Sequence, residues 1–416
     1  MSEKNNPGQA RPRIVFFSEA VTLAHLVRPV FLATALQKTE NYDIFLASPA
    51  DKRYEFCFTG TNFKRIDITS TTFERFMKRV DAGAPLFDAK TLDQQVQEDL
   101  AIIDNLKPDL IVGDQRLSLS VSATLRKTPY IAISNAYWSP YSARRRFPIP
   151  DIPVTRLLGA RLCQPVFEAI WPLVSHIHAW PVNHVRKKYG LPTLDGWLKV
   201  YTDANHVVYA DVPTLAPTVP LPPNHHYLGT IPWSPPVALP AWWDTINPGK
   251  PCIYISLGSS GKAQLLPGIT NALADIDANL LVATAGHIDP NTLPGNVFAA
   301  EYLPGAECTA KSELVICNGG SPTVQQILRE GKPVLGIPAN MDQYLAMEEV
   351  CHLGAGLLIR SVEATGARVR EQVVKLLGSG SYRSAAEQVR TEIKGMDAET
   401  SFCELVGQLV GGTEPA

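Results

Sequence analysis

The stretch that decides the fold runs from Leu314 to Gly356 and reads LVICNGGSPTVQQILREGKPVLGIPANMDQYLAMEEVCHLGAG. Its first residues, Leu314–Cys317, are continuously apolar and predict a buried strand, which the glycine turn at 318–320 ends. Serine favours helix caps and proline favours the first helical turn, so a helix is predicted to begin near Ser321 or Pro322. The free N–H groups of a helix behind such a turn suit a diphosphate. From these residues alone, an ordinary turn between a strand and a helix is an equally good interpretation.

The same alternation of short apolar runs and helical segments extends over the rest of the chain. Strands are predicted at 14–17, 42–47, 110–112, 130–133, 206–209, 253–257, 280–284, 297–302, 314–317, 334–337 and 356–359. Helices are predicted at 30–37, 92–105, 117–126, 265–276, 323–330, 343–352 and 369–377, followed by a helical tail at about 384–409. Apolar strands that alternate with helices are typical of parallel sheets covered on both faces. Eleven prolines between Asp211 and Pro251 cannot belong to a central sheet, so this stretch is interpreted as a linker between two α/β units.

The composition argues against several classes of protein. The formal net charge of −2 over 416 residues argues against a general nucleic-acid binder, which needs a basic face. The cysteines form no CxxC pair and the histidines show no spacing such as HExxH, so free thiols and no metal site are expected. The polar N-terminus is unlike a secretory signal, and no apolar run approaches the roughly 20 residues that span a membrane. A cytoplasmic location is therefore expected.

The segment 314–356 resembles the donor-binding motif of the nucleotide-sugar glycosyltransferases that include UDP-glucuronosyltransferases and the plant and bacterial natural-product enzymes. The residues that match this motif at fixed spacing are Gly319, Gly320, Thr323, Leu328, Gly331, Pro333, Pro338, Asp342 and Gln343. The segment Ile255–Ser259 is similar to the first strand of the family's donor domain, and Glu301–Pro304 lies where the family has an aromatic residue near the base. The resemblance covers the chain from Arg13 onward. It implies the GT-B fold, an α/β architecture of two Rossmann-like domains whose parallel sheets face each other across a cleft.

The resemblance also implies how the chain is divided. The N-terminal acceptor-binding domain is expected at 11–215, the proline-rich linker at 216–250 and the C-terminal nucleotide-sugar donor-binding domain at 251–383. The tail at 384–416 is expected to form helices that cross back to the N-terminal domain, as the family's last helix does.

His25 is the candidate catalytic base. It follows the first predicted strand, and histidine is the side chain best suited to take a proton from a hydroxyl near neutral pH. The pattern around it resembles the family's, except that Pro29 lies four residues after His25 where three is usual. Asp114 lies at the end of the strand 110–112, where the family has an aspartate that orients the histidine. From chemistry alone, a turn histidine bonded to backbone and a solvated carboxylate stay open as alternatives.

The resemblance implies a donor site at the strand ends and helix starts of the second unit: Ser259, Tyr302, Asn318, Gly319, Gly320, Ser321, Thr323, Gln326, Asp342 and Gln343. In the family, the Asp-Gln pair faces the hexose. Asn318 departs from the family's phosphate-binding histidine, and Gln326 departs from its ribose-binding glutamate. Each neutral amide is expected to weaken its bond by about 1 kcal/mol. No metal or cofactor is expected beyond the nucleotide sugar as co-substrate.

These features predict an inverting glycosyltransferase that moves a glucose-type hexose from a UDP- or dTDP-sugar to a hydroxyl of a small hydrophobic acceptor. Two alternatives stay open: a non-catalytic auxiliary or binding protein of the same fold with a degenerate donor site, and another enzyme on this fold, such as a nucleotide-sugar epimerase. His25 and the pair Asp342-Gln343 favour the transferase over the auxiliary protein, because a decayed site need not keep them.

The sequence does not specify the acceptor. The stretch Phe147–Trp180 is rich in aromatic and aliphatic residues. A buried helix is the favoured interpretation, and an apolar acceptor pocket or a peripheral contact with a membrane surface are the other two.

Overall fold

The computed structural model describes residues 11–411 except 145, 235, 259, 287, 291, 292, 295 and 296. The described strands form two sheets, one in each half of the chain, and neighbouring strands in both sheets run parallel. Helices cover the sheets, and for this reason the central strands are apolar and buried over their whole length.

The first sheet has the strand order β3-β2-β1-β4-β5-β6-β7. Its strands are β1 (Arg13–Ser18), β2 (Asp43–Ser48), β3 (Lys64–Asp67), β4 (Leu110–Asp114), β5 (Tyr130–Ser134), β6 (His206–Tyr209) and β7 (His225–Tyr227). The order reverses between β1 and β4, and in open parallel sheets such a reversal creates a crevice at the carboxyl ends of the strands.

The second sheet has the order β10-β9-β8-β11-β12-β13, with its reversal between β8 and β11. Its strands are β8 (Cys252–Ser256), β9 (Asn279–Ala283), β10 (Val297–Ala300), β11 (Leu314–Cys317), β12 (Val334–Gly336) and β13 (Gly356–Leu358).

The helices of the first half are α1 (Leu23–Gln37), α2 (Phe73–Asp81), α3 (Ala89–Leu106), α4 (Leu119–Arg126), α5 (Pro153–Leu158), α6 (Ala160–Lys188) and α7 (Gly196–Val200). Side chains of Thr72 and Asp88 cap α2 and α3 by accepting from backbone N–H groups of the first turn. Within the described residues, no helix is long and apolar enough to cross a membrane.

The helices of the second half are α8 (Leu266–Leu273), α9 (Gly305–Lys311), α10 (Ser321–Arg329), α11 (Met341–His352), α12 (Gly366–Gly378), α13 (Gly380–Gly395) and α14 (Ala398–Val410). Helix α13 packs on α10 and belongs to the core of the second half. Helix α14 packs instead on α1, where the Phe402 ring lies 6.2 Å from the ring of Phe16. The tail therefore divides at Met396–Asp397, where Asp397 caps α14: α13 packs on the second half and α14 on the first.

The predicted fold class is confirmed, and three local predictions are corrected. Strands β3 and β7 are absent from the prediction because their sequences, KRID and HHY, are polar. Helix α1 begins at Leu23, so His25 lies on a helix rather than in a loop, and Pro29 is inside that helix. Helix α6 is not a plain buried helix, because it exposes apolar side chains such as Leu162 and Leu173 on one face.

Candidate active site

His25 and Asp114 meet where the first sheet reverses its strand order. Ser18, the last residue of β1, pairs in register with Asp114, the last residue of β4. His25 lies just beyond, in the first turn of α1. The Ser18 hydroxyl donates to the His25 carbonyl at 2.7 Å, and this bond holds the turn against the end of the strand.

The two side chains are bonded to each other. His25 Nδ1 lies 2.8 Å from Asp114 Oδ1, and Asp114 is fully buried while the His25 side chain keeps 20% of its surface exposed. We assign the Nδ1 proton to this bond because a carboxylate only accepts. Nε2 is then the nitrogen that can take a proton from a hydroxyl.

Arg28 is a third member of this cluster, and the sequence interpretation omits it. Its Nε lies 2.7 Å from Asp114 Oδ2 and its Nη2 lies 2.8 Å from Asp114 Oδ1. Burial alone would lower the pKa of Arg28, but the charge and hydrogen bonds of Asp114 raise that pKa above its usual value. The sequence contains a signal for Arg28. Residues three apart on a helix share a face, and Arg28 stands three residues after His25, where the family usually has proline.

Asn135, which follows β5, connects this cluster to the second half of the chain. Its Oδ1 accepts from Arg28 Nη1 at 2.9 Å. Its Nδ2 lies 3.1 Å from Ser321 Oγ, and Ser321 is the first residue of α10. Hydrogen-bonded side chains thus form a continuous path from His25 to the helix of the donor motif.

Asp211 is buried at the same junction. It accepts from the Ala136 N–H at 2.7 Å and from Asn135 Nδ2 at 3.0 Å, and Gln325 Nε2 of α10 donates to it at 2.8 Å. Burial is the largest influence on this carboxyl and raises its pKa to about 6. Neither Asn135 nor Asp211 stands out in the sequence, because each gains its role from neighbours distant along the chain.

The turn ahead of α10 depends on its glycines and on Asn318. Gly319 has a φ of +81°, and a Cβ there would lie 2.6 Å from Met347 Cγ. Asn318 Oδ1 accepts from the Gly320 N–H at 3.2 Å, and Asn318 Nδ2 donates to Ser260 Oγ at 3.2 Å. The amide expected to bond a phosphate is therefore bonded within its own turn and to the loop after β8.

Asp342 and Gln343 lie at the start of α11. Gln343 forms a capping box with Asn340, and its Oε1 accepts from the Ala339 N–H at 2.9 Å. Asp342 Oδ1 accepts from Trp138 Nε1 at 2.7 Å and from the Tyr137 hydroxyl at 3.0 Å. Both residues thus use part of their hydrogen-bonding capacity inside the protein.

One cavity of about 560 Å³ brings the two halves of the site together. The predicted site residues in its wall are His25, Gly320, Ser321, Asp342 and Gln343. Arg28, Asn135 and Ser260, which were not predicted, also line it. His25 of the first half and the N-termini of α10 and α11 therefore face the same space.

The other predicted site residues lie away from this wall. Asp114 bonds His25 but does not line the cavity. Asn318 and Gly319, in the turn before α10, and Thr323, in its first turn, do not line it either. Gln326 Nε2 donates to the Trp233 carbonyl at 3.3 Å, and the ring of the exposed Tyr302 lies 6.3 Å from that of Phe56. Ser259 lies outside the described residues.

Known proteins resemble this chain over most of its length. A model of the family described as Erythromycin biosynthesis protein CIII-like, C-terminal domain, matches residues 268–411. The PGL/p-HBAD biosynthesis rhamnosyltransferase of Mycobacterium bovis BCG is 45% identical over 387 residues, which are 92% of this chain and 85% of that protein. An inactive PGL/p-HBAD biosynthesis glycosyltransferase of the same organism is 43% identical over 269 residues, which are 64% of this chain and 72% of that protein.

The fold also occurs in solved structures of glycosyltransferases. Spinosyn rhamnosyltransferase SpnG complexed with thymidine diphosphate has a TM-score of 0.64 at 19% identity, covering 95% of this chain and 99% of that chain. The relatives and the two-sheet architecture agree, and this chain belongs to the family of nucleotide-sugar-dependent glycosyltransferases of natural-product type, with the GT-B fold.

Proposed function

We propose that this enzyme inverts the anomeric centre as it moves rhamnose from a thymidine-diphosphate sugar to a hydroxyl of a small hydrophobic acceptor. One observation carries the proposal: His25, held by Asp114 at 2.8 Å, lines the same cavity as the N-termini of α10 and α11. A base on one wall and a diphosphate site on the other are what an in-line displacement needs.

The reaction follows from these positions. His25 Nε2 takes the proton of the acceptor hydroxyl while its oxygen forms a bond to the anomeric carbon of the sugar. The bond from that carbon to the diphosphate oxygen breaks, and the leaving diphosphate keeps the electron pair. Asp114 stabilises the imidazolium that forms, and N–H groups at the start of α10 stabilise the departing charge. The oxygen attacks opposite the leaving group, so the configuration inverts.

Rhamnose replaces the glucose-type sugar that the Asp342-Gln343 pair implies. The relative at 45% identity is named a rhamnosyltransferase. Asp342 already accepts from Tyr137 and Trp138, so fewer of its lone pairs are left for sugar hydroxyls. Trp138 and Met341 add apolar surface to the same wall. Such a wall suits a sugar with a methyl group at C6 better than one with a hydroxymethyl group.

The acceptor assignment rests on the remainder of the cavity. Beyond His25, the wall contributed by the first half is mainly aliphatic and aromatic, with residues such as Phe76, Val80, Ile149 and Phe167. An apolar wall with few polar groups near the base favours an apolar acceptor whose one reacting hydroxyl points at His25.

The auxiliary-protein alternative has its own support. Asn318 and Gln326 are bonded inside the protein, and a relative at 43% identity is named inactive. Against it stands the bonded pair of His25 and Asp114, which a protein without activity has no need to keep.

Donor binding and product structure test the proposal. We expect dTDP and dTDP-rhamnose to bind by calorimetry, and dTDP-rhamnose to be consumed with a panel of phenols and alkanols. The product anomer, read by NMR, should be inverted relative to the donor. Preferential use of UDP-glucose would overturn the sugar assignment, and a retained anomer would overturn the mechanism. If neither dTDP nor UDP binds at millimolar concentration, the auxiliary-protein alternative takes its place.

A further inference from the structure

The outward side of α6 carries a continuous apolar face. Six of its side chains recur at the spacing of one helical face and are between 43 and 74% exposed: Leu162, Val166, Ile170, Leu173, Ile177 and Trp180. At about 100° per residue, these positions fall within an arc of about 80°. We call these six residues the α6 face.

The α6 face is not the part of the helix that holds the fold together. Other sides of α6 are already buried, with Cys163 and Phe167 in one hydrophobic cluster and Ala179, Val182 and Val185 in another. A surface helix normally has one apolar face and one polar face. An apolar row on the solvent side of such a helix marks an interaction surface.

The charges around the α6 face favour one class of partner. By the same helical arithmetic, no aspartate or glutamate falls within its arc. The only acidic residue of α6, Glu168, lies on another side of the helix and pairs with Arg146 at 2.7 Å. Arg156, which lies 3.9 Å from Asp81, and Arg161 are exposed at one end of the row and Lys187 at the other. The exposed Asp195, 3.3 Å from His176, is an acidic group beside the row. Basic residues around an apolar helical face, with a tryptophan in it, are typical of helices that lie on anionic membranes.

We propose that the α6 face docks on a lipid bilayer that carries anionic headgroups. Leu162, Val166 and Ile170 belong both to this face and to the wall of the active-site cavity, so the cavity opens beside the docked surface. An apolar acceptor dissolved in the bilayer would then reach His25 without crossing water. This delivery step rests on the proposed function, whereas the docking itself does not.

Vesicle sedimentation tests the docking directly. Full-length protein is mixed with vesicles of phosphatidylcholine and phosphatidylglycerol in equal amounts, and with vesicles of phosphatidylcholine alone. We expect wild type to bind the anionic vesicles at least about tenfold more tightly, because each basic residue near the surface adds to the attraction. The triple variant Leu173→Ser, Ile177→Ser, Trp180→Ser should lose at least about tenfold in binding, because the apolar area that would enter the bilayer is gone.

The control is a triple variant of equally exposed residues on other surfaces, Val219→Ser, Val362→Ser and Val374→Ser, which should bind like wild type. None of the substituted residues lines the cavity, so transfer to a water-soluble phenol should be unchanged in both variants. Failure of wild type to bind anionic vesicles, or equal binding by the two triple variants, would overturn the docking and leave the proposed function standing. Sedimentation velocity tests another occupant. If wild type forms a dimer and only the α6 variant is monomeric, the face binds a second copy of the chain instead. If wild type binds the vesicles but transfers no sugar, that result would count against the proposed function and not against the docking.

Discussion

At the residue scale, Arg28 changes what Asp114 can do for His25. The guanidinium holds both carboxylate oxygens of Asp114, and His25 bonds one of the same oxygens. The carboxylate is therefore fixed in orientation, and its charge is shared between a permanent cation and the imidazolium that forms during transfer. Arg28 Nη2 also lies 3.0 Å from His25 Nδ1, so Arg28 contacts both members of the pair, and we regard it as a positioning residue.

Replacing Arg28 by lysine tests this role. Lysine keeps the charge, but its single ammonium group cannot bond both oxygens of Asp114 and Asn135 Oδ1 at the same time. We expect Arg28→Lys to lower kcat by roughly tenfold while the KM for the donor changes less than about twofold, because orientation of the base is lost and donor contacts are not.

Arg186→Lys provides the matched control. Arg186 is also buried and bonds backbone carbonyls and Asp203, but it does not line the cavity. Steady-state kinetics and thermal unfolding of both variants separate positioning from folding. Equal losses of kcat in the two variants would show that Arg28 acts only through stability.

Asn318 leads to a second prediction at this scale. A histidine here matches the family, yet Asn318 bonds both Gly320 and Ser260 in the present turn. Asn318→His loses at least one of these bonds, which are worth about 1 kcal/mol each, so we expect dTDP to bind several-fold more weakly by calorimetry. Tighter binding by the variant would mean that an imidazole at this position reaches the phosphate and that the turn survives without the amide.

At the element scale, the turn between β11 and α10 has a backbone shape that only glycine fits well. Gly319 adopts a φ of +81°, and an added Cβ would lie 2.6 Å from Met347 Cγ and 3.1 Å from the Gln343 carbonyl oxygen. We expect Gly319→Ala to destabilise the second half by about 1–3 kcal/mol and to abolish dTDP binding, because the start of α10 moves with the turn.

Gly378→Ala is the matched control, because Gly378 ends α12 with nothing within 4 Å of an added Cβ and no positive φ. Thermal unfolding and dTDP calorimetry on both variants make the comparison. Normal dTDP binding by Gly319→Ala would show that this turn does not shape the donor site.

The sequence predicts the elements of the central sheets well and their surroundings less well. Apolar strands such as β4 and β11 are recognisable because both of their faces are covered. The polar edge strand β3 gives no such signal. In α6, periodicity identifies a helix with apolar residues on two sides, but periodicity cannot tell which side meets solvent. The break before α14 could have been found from Asp397, which has the residue type and position of a helix cap.

At the scale of the whole molecule, the two halves meet through polar side chains that no sequence pattern predicts. Motif spacing locates His25, Asp114 and the start of α10, because each belongs to one local segment. Asn135 and Asp211 join those segments. Asn135 is 76 residues from Asp211 and 186 residues from Ser321 along the chain, so no local pattern connects them. The predicted domain bounds and the donor roles of Thr323, Gln326 and Tyr302 stay predictions.

Asp211 makes this junction sensitive to pH. Its pKa is about 6 in the folded protein, above the usual value of 3.8, so the folded state takes up a proton between pH 6 and 4 when the unfolded state does not. Stability contributed by this group therefore rises as the pH falls through 6. Between pH 7 and pH 5, wild type should gain about 1 kcal/mol of stability relative to Asp211→Asn. Thermal unfolding of both proteins across this range checks it, and parallel pH profiles would contradict it.

The central claim is that His25 is the base of a sugar transfer whose donor is held by the other half of the chain. Its most direct test compares wild type and His25→Ala in two measurements. One is rhamnose transfer from dTDP-rhamnose to the best acceptor from the panel of phenols and alkanols, and the other is dTDP binding. His25 belongs to the first half and α10 to the second, so dTDP should bind the variant with a Kd within about twofold of wild type. Transfer should fall by about 10²–10⁴-fold, the usual contribution of a general base. Transfer by His25→Ala at the wild-type rate near neutral pH would contradict the account.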